Sequence, residues 1–221
     1  MNKQSGFTLV EIAIVLVIIG LLLGGVLKGQ ELITQAKIKN VSNDLNGISA
    51  AIYGYQDRYK RLPGDDPGRV RWEVPTGTAL TAGNGDNVIA GGYASTTNAD
   101  ESRMFWVDLR KAGFVSGATD TIANASTQPL NAAGGIMGIQ SGGMGLAGTI
   151  ICTGSLPAKI AQALDSQLDD GNATSGNVRA ILDTAPPTAV ALPAGTPPTS
   201  SAPTANYVDS GTNLYVLCKN I

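Results

Sequence analysis

Apolar and polar positions divide this chain into an apolar rod, an amphipathic continuation and a polar, glycine-rich remainder. Residues 7–27 read FTLVEIAIVLVIIGLLLGGVL, with Glu11 as the single charge. At about 1.5 Å per residue this run makes roughly 31 Å of helix, enough to cross a bilayer core. From Ile38 the apolar positions are Ile38, Val41, Leu45, Ile48, Ile52, Tyr55, Tyr59 and Leu62, separated alternately by 3 and 4 residues. That spacing is one stripe on a helix. Pro63-Gly64 ends it with two breakers. One helix over residues 7–61, roughly 80 Å long, is therefore expected. Its first half is apolar all round, and its second half has one face to bury. A coiled-coil seam is the other use of such a stripe, but it covers little more than three heptads. A following head would need that face as a packing surface.

Beyond residue 62 the pattern breaks into short elements. Leu62-Pro63-Gly64-Asp65-Asp66 and Gly83-Asn84-Gly85-Asp86-Asn87 are turn clusters. Residues 100–113, DESRMFWVDLRKAG, predict a short helix with Asp100 as N-cap, Phe105, Leu109 and Ala112 on one face, and Gly113 as the stop. A glycine-rich stretch over 131–148 leads into a predicted strand at 148–153. Ser155 then caps a second short helix, with Pro157 near its start and Ile160, Ala161, Leu164 and Leu168 along one side. Residues 165–177, DSQLDDGNATSGN, read as a helix end and a turn. Residues 184–208 hold no charge and six of the eleven prolines, which suits a surface loop rather than a core. Segments 206–209 and 213–219 read as a closing β-hairpin with Leu214, Val216 and Cys218 on one face.

Composition narrows the chemistry. The 221 residues include no histidine, so no histidine general base, Ser-His-Asp triad or His-ligated zinc can be built. Charged residues make up 14% and the net charge is −2, which argues against a broad phosphate-binding surface. Two acidic groups carry an oxygen-ligand alternative to simple turns and caps: Asp65, Asp66 and Asp86, and Asp165, Asp169 and Asp170. The second lacks the twelve-residue spacing of an EF-hand loop.

The N-terminal run admits a secretory signal peptide or a plain anchor, but neither accounts for Glu11. A charge at the bilayer centre costs about 2.5–3.5 kcal/mol on insertion scales, and an acid placed there needs a partner. Gly6-Phe7-Thr8-Leu9-Val10-Glu11 followed by a long apolar run resembles the processing site of type IV prepilins and related pseudopilins. The resemblance covers about 25 residues and implies cleavage after Gly6, N-methylation of Phe7, and a Glu11 carboxylate that meets the Phe7 amine of a neighbouring subunit. Low-dielectric pairing of these charges agrees with it. Many members carry a proline soon after the apolar run. This chain has none before Pro63, and Gly20, Gly24, Gly25 and Gly29 are the helix's weak points instead.

The implied organisation is a pilin-like α+β fold. Its parts are a leader (1–6), a transmembrane and fibre-core helix (7–27), an amphipathic continuation (28–62) and a globular head (63–221). The head is a small antiparallel sheet with short helices and long loops. Lys3 in the leader orients the N-terminus to the cytoplasm and the head outside. There the Cys152 and Cys218 thiols can form a disulfide. Pilins often staple a C-terminal segment in this way, and two free buried thiols are the alternative. The implied function is a structural subunit of a pilus-like fibre, with no enzymatic activity. The implied partners are like subunits, a prepilin peptidase and methylase, an inner-membrane assembly platform, and lipid before assembly.

A minor or tip pilin and a type II secretion pseudopilin are variants of this reading. Some pseudopilins bind calcium near the C-terminus, which would use Asp165, Asp169 and Asp170. A DNA-binding competence pilin is a more distant reading. Its densest basic cluster is Arg58, Lys60, Arg61, Arg69, Arg71 and Trp72, interleaved with Asp57, Asp65, Asp66 and Glu73. A membrane-anchored glycosidase would need paired carboxylates such as Asp65 and Asp66 or Asp169 and Asp170, all of which sit in turn sequences.

Overall fold

Alternation of apolar side chains along the two central strands builds this head. The computed structural model describes residues 8–72, 80, 82–183, 203 and 205–221, and the chain falls into two units, Met1–Lys37 and Ile38–Ile221. Helix α1, Leu9–Tyr59, begins in the first unit and ends in the second. In the first unit its apolar side chains are exposed, from Leu9 at 86% to Ile33 at 60%. The run is long and apolar enough to cross a membrane.

In the second unit the expected stripe is buried: Ile38, Val41, Leu45, Ile48, Ile52 and Tyr55, with Ser42 and Ala51 beside them. The helix ends just short of the expected residue 61, where Lys60 turns to a positive φ of 56°. Residues 67–71 form a 3-10 turn whose N-cap, Asp66, accepts the Gly68 N–H. Helix α2 (Glu101–Lys111) and the one-turn helix α3 (Ile122–Ala125) follow. Gly113 stops α2 with a φ of 80°, as its position predicts. Asp100 occupies the N-cap position but makes no side-chain cap bond; its carboxylate accepts the Ser95 hydroxyl at 2.5 Å instead.

Strands β1 (Met137–Gly143), β2 (Leu146–Pro157), β3 (Val178–Leu182) and β4 (Leu214–Asn220) form one antiparallel sheet in the order β1-β2-β4-β3. Helix α4 (Ala158–Leu168) lies between β2 and β3 in sequence. The C-terminal strand is therefore central. Ile139, Ile151, Tyr215, Leu217, Val178 and Ala180 join the α1 stripe, Phe105, Trp106 and Leu164 in the main core. Ile150, Cys152, Val216 and Cys218 face the other way, against Tyr93, Met144 and Leu146. Period-two alternation sends neighbours to opposite faces. The fold is the pilin-like α+β arrangement.

Several local expectations are corrected. The expected strand at 148–153 lengthens to Leu146–Pro157. The glycine-rich stretch also holds β1, whose apolar alternation is diluted by Gly138, Gly142 and Gly143. Ser155 does not cap α4. It sits in β2 at a register shift with φ 54°, its N–H on Asp183 at 3.1 Å, while Pro157 holds the N-cap position. The closing hairpin is absent. Residues 206–209 form no strand, and β4 pairs with β2 and β3. The Val208 N–H instead donates to the Tyr215 hydroxyl at 2.7 Å. Strand β3, five residues long, was not among the expected elements. Most of the proline-rich segment, 184–202 and 204, lies outside the described residues.

Candidate functional site

The N-terminal site begins with a hydrogen-bonding problem. The first turn of a helix has N–H groups without helical partners. Here Thr8 and Glu11 solve it reciprocally: the Glu11 N–H donates to Thr8 Oγ1 at 3.3 Å, and the Thr8 N–H donates to Glu11 Oε2 at 2.8 Å. The Thr8 hydroxyl adds a bond to the same oxygen at 2.9 Å. This is a capping box. The T-x-x-E spacing of Thr8 and Glu11 that signals it is present in the sequence. Glu11 thus starts α1 as well as standing four residues inside the apolar run. Gly6 and Phe7, the expected cleavage and methylation residues, lie outside the described residues.

The head supplies the staple. Cys152 on β2 and Cys218 on β4 are directly opposite partners and form a disulfide that spans 66 residues of sequence. Both are buried in the smaller core. The bond fixes the last strand into the middle of the sheet, where loop closure alone would be entropically unfavourable.

The carboxylates of the first acidic group go to separate partners. Asp65 accepts the Gly85 and Asn87 N–H groups, both at 2.6 Å, and so clamps the 83–87 turn. Asp86 accepts the Val88 N–H at 2.8 Å and the Asn84 side-chain amide at 2.8 Å. Asp66 faces elsewhere, taking the Tyr55 hydroxyl at 2.6 Å and Arg71 at 2.7 Å. Burial alone would raise its carboxyl, but the bonds from Arg71, Tyr55 and the Gly68 N–H hold it below the usual carboxylate range. Buried and beside Asp108 and Asp66, the Tyr55 hydroxyl is pushed well up. These are turn and capping roles.

The second acidic group does gather. One carboxylate oxygen from each of Asp165, Asp169 and Asp170 lies within 4.8 Å of the others. Such donors suit a hard cation by type. Each carboxylate, however, already accepts hydrogen bonds from the chain. Asp165 takes the Tyr207 hydroxyl at 2.6 Å and the Gly171 N–H at 3.0 Å. Asp169 takes the N–H groups of Asn177 and Val178. Asp170 takes the Asn172 N–H at 2.8 Å and the Ser175 hydroxyl at 2.6 Å. Burial pushes the Asp165 carboxyl up, and nearby Asp170 and Asp169 add to the rise against the bonds from Tyr207 and Gly171. The chain's own donors thus close the α4–β3 loop.

Burial removes one member of the basic cluster, Arg69. Arg69 is 0% exposed. Its Nε and Nη2 donate to the two oxygens of Asp108 at 2.8 Å each, and Nη2 also reaches the Gly64 carbonyl. Arg71 pairs with Asp66 and lies over the Tyr59 ring at 4.7 Å and the Trp72 ring at 5.4 Å. Arg69 cannot reach a nucleic-acid phosphate in the folded head. Arg69 thus joins the 64–72 turn to α2, while Arg58, Lys60, Arg61 and Arg71 stay at the surface. Nothing in the sequence separates a buried arginine from an exposed one here except the spare acids, Asp66 and Asp108.

Residues 1–27 match the family model described as the prokaryotic N-terminal methylation motif. No curated protein matches the chain.

Proposed function

The N-terminal methylation motif is diagnostic of prepilins and type IV pilin-like proteins, and from that premise we propose how this pilin or pseudopilin subunit is made and assembled. The subunit is a structural protein, processed by a prepilin peptidase and methylase and assembled with related subunits through its N-terminal helix. In this proposal the membrane peptidase removes residues 1–6 after Gly6 and the new terminus, Phe7, is methylated. Before assembly, residues 7–27 cross a bacterial inner membrane once, with Lys3 on the cytoplasmic side and the head outside. The assembly platform then draws the subunit from lipid into a periplasmic or extracellular fibre. Residues 28–62 continue the helix onto the head.

The observation that carries this reading is the exposure of the apolar part of α1. Its side chains find no burial within the chain, so they need lipid first and neighbouring helices afterwards. Copies stacked by heterologous, non-closing contacts generate a helical filament. Glu11, capped by Thr8 in the single chain, exchanges part of that bonding for the Phe7 amine of a neighbour. The pair fixes register more than it adds affinity. The test is mass spectrometry of the mature N-terminus. An N-methylated Phe7 supports the proposal; a chain still beginning at Met1 in assembled material, or cut elsewhere, overturns it. The subunit's abundance in sheared fibres separates a major subunit from a minor or tip one.

A further inference from the structure

The α4–β3 loop contains Asn172-Ala173-Thr174, an asparagine amide two residues before a hydroxyl, the spacing of an N-glycan acceptor. Two other segments share it, Asn40-Val41-Ser42 and Asn124-Ala125-Ser126, so spacing alone selects none of them. The structure does. Asn40 lies within α1 and its Ser42 is buried at 3% exposure. Asn124 spends its amide nitrogen on both oxygens of Asp120, at 3.1 Å each, and its Ser126 is buried beside Arg103. Asn172 stands in a loop outside any helix or strand and is half-buried, as is Thr174. Its Oδ1 accepts both the Thr174 hydroxyl at 2.9 Å and the Thr174 N–H at 3.1 Å.

The remaining bonds hold the backbone and leave the amide nitrogen alone. Asp170 accepts the Asn172 N–H at 2.8 Å, the Asn172 carbonyl accepts the Ser175 N–H at 3.1 Å, and Asn206 accepts the Ala173 N–H at 3.2 Å. Two hydrogen bonds onto Oδ1 make the Nδ2 protons more acidic, and the hydroxyl that does so is the one the acceptor spacing requires.

We propose that Asn172 is a site of N-linked glycosylation, taking an oligosaccharide from a polyprenyl-pyrophosphate donor. The Nδ2 atom attacks the anomeric carbon of the donor's first sugar. The new N–C bond replaces the C–O bond to pyrophosphate, polyprenyl pyrophosphate leaves, and one amide proton passes to a base of the transferase. This rests on the proposed placement of the head outside the cytoplasmic membrane, where the donor's sugars are presented. A glycan here would stand beside the Asp165, Asp169 and Asp170 group and mark this end of the head for contact with solvent rather than with a neighbouring subunit.

The test uses full-length protein isolated from its own membranes and digested with trypsin without reduction. Cleavage after Lys159 and Arg179 releases peptide 160–179. The expected result is a sugar-mass increment on that peptide, located on Asn172 by electron-transfer fragmentation, with the peptides holding Asn40 and Asn124 unmodified. Thr174→Ala should abolish the increment and Thr174→Ser should keep it. A peptide 160–179 found only at its unmodified mass, or a sugar on another residue of it, overturns the assignment. The same digest reports the cross-link between Cys152 and Cys218. If the link is present and Asn172 bare, the glycan inference alone fails; if both thiols are free, the placement of the head fails with it.

Discussion

Glu11 has two roles, helix cap and assembly charge, and substitutions can separate them. Glutamine keeps the capping geometry and removes the charge; alanine removes both. Glu11→Gln is expected to leave the protein in the membrane with normal helicity and impair fibre formation. Glu11→Ala should show the same assembly loss with added fraying at Thr8. Normal fibre yield from Glu11→Gln, measured by shearing and immunoblotting, would assign Glu11 to capping alone. Arg69 shows the opposite case, a charge that works only inside. Removing one member of a buried, hydrogen-bonded pair costs about 3–5 kcal/mol. Arg69→Ala should lower the urea midpoint of the head accordingly, and an unchanged midpoint would show that Asp108 finds another partner.

Acid should act through Asp66. Its carboxyl is held below its ordinary value in the fold, so its contribution is full at neutral pH, above the unfolded value of about 3.9. It is lost as the pH falls through the lowered folded value. Asp66→Asn should flatten the acid limb of a stability–pH curve measured by urea unfolding; an equally steep limb would place the acid sensitivity elsewhere.

Among the elements, β1 and β4 are fixed by contacts that local pattern does not announce. A Cβ built on Gly138 would lie 2.0 Å from the Tyr93 carbonyl oxygen. The obstacle is main chain, not the end of a flexible side chain, so it cannot rotate away. Gly138→Ala should destabilise the head by about 1–3 kcal/mol, the range for overpacking, and a wild-type urea midpoint would contradict the close approach. Strand β4 depends on the disulfide. In the chain-entropy model a closed loop of this size contributes about 4 kcal/mol. Paired Cys152→Ser and Cys218→Ser should therefore lower the unfolding free energy by about 2–4 kcal/mol, with the loss matched by reductant on the wild type. The helix boundaries were legible because Pro63, Gly64 and Gly113 are strong breakers. Strand β3 was not, since five residues, Val178–Leu182, carry too short an alternation to separate strand from loop.

For the whole molecule, the burial pattern divides the labour. The head's core recruits α1 only from Ile38 onward, so a chain lacking residues 1–27 should be water-soluble. It should keep the Cys152–Cys218 bond and unfold at the same urea concentration as the full chain in detergent. A lowered midpoint would mean that the apolar part of α1 supports the head. The near-neutral, histidine-free composition suits a protein that acts by packing, and the motif of residues 1–27 implies assembly with related subunits.

The apolar rod, the stripe beginning at Ile38, the T-x-x-E start and the methylation motif are all properties of neighbours in sequence, so the sequence by itself determined them. Helical periodicity, breaker residues and a processing motif need no distant partner to be recognised. Which strands pair, that the last of them is central, that Arg69 is buried on Asp108, and that Asp65 holds the 83–87 turn were decided only by tertiary structure. Each joins residues far apart in the chain: Arg69 and Asp108 are 39 apart, and the two cysteines 66. Closing such loops depends on the sum of contacts across the whole head. No single segment carries that sum, and so no local pattern could show it.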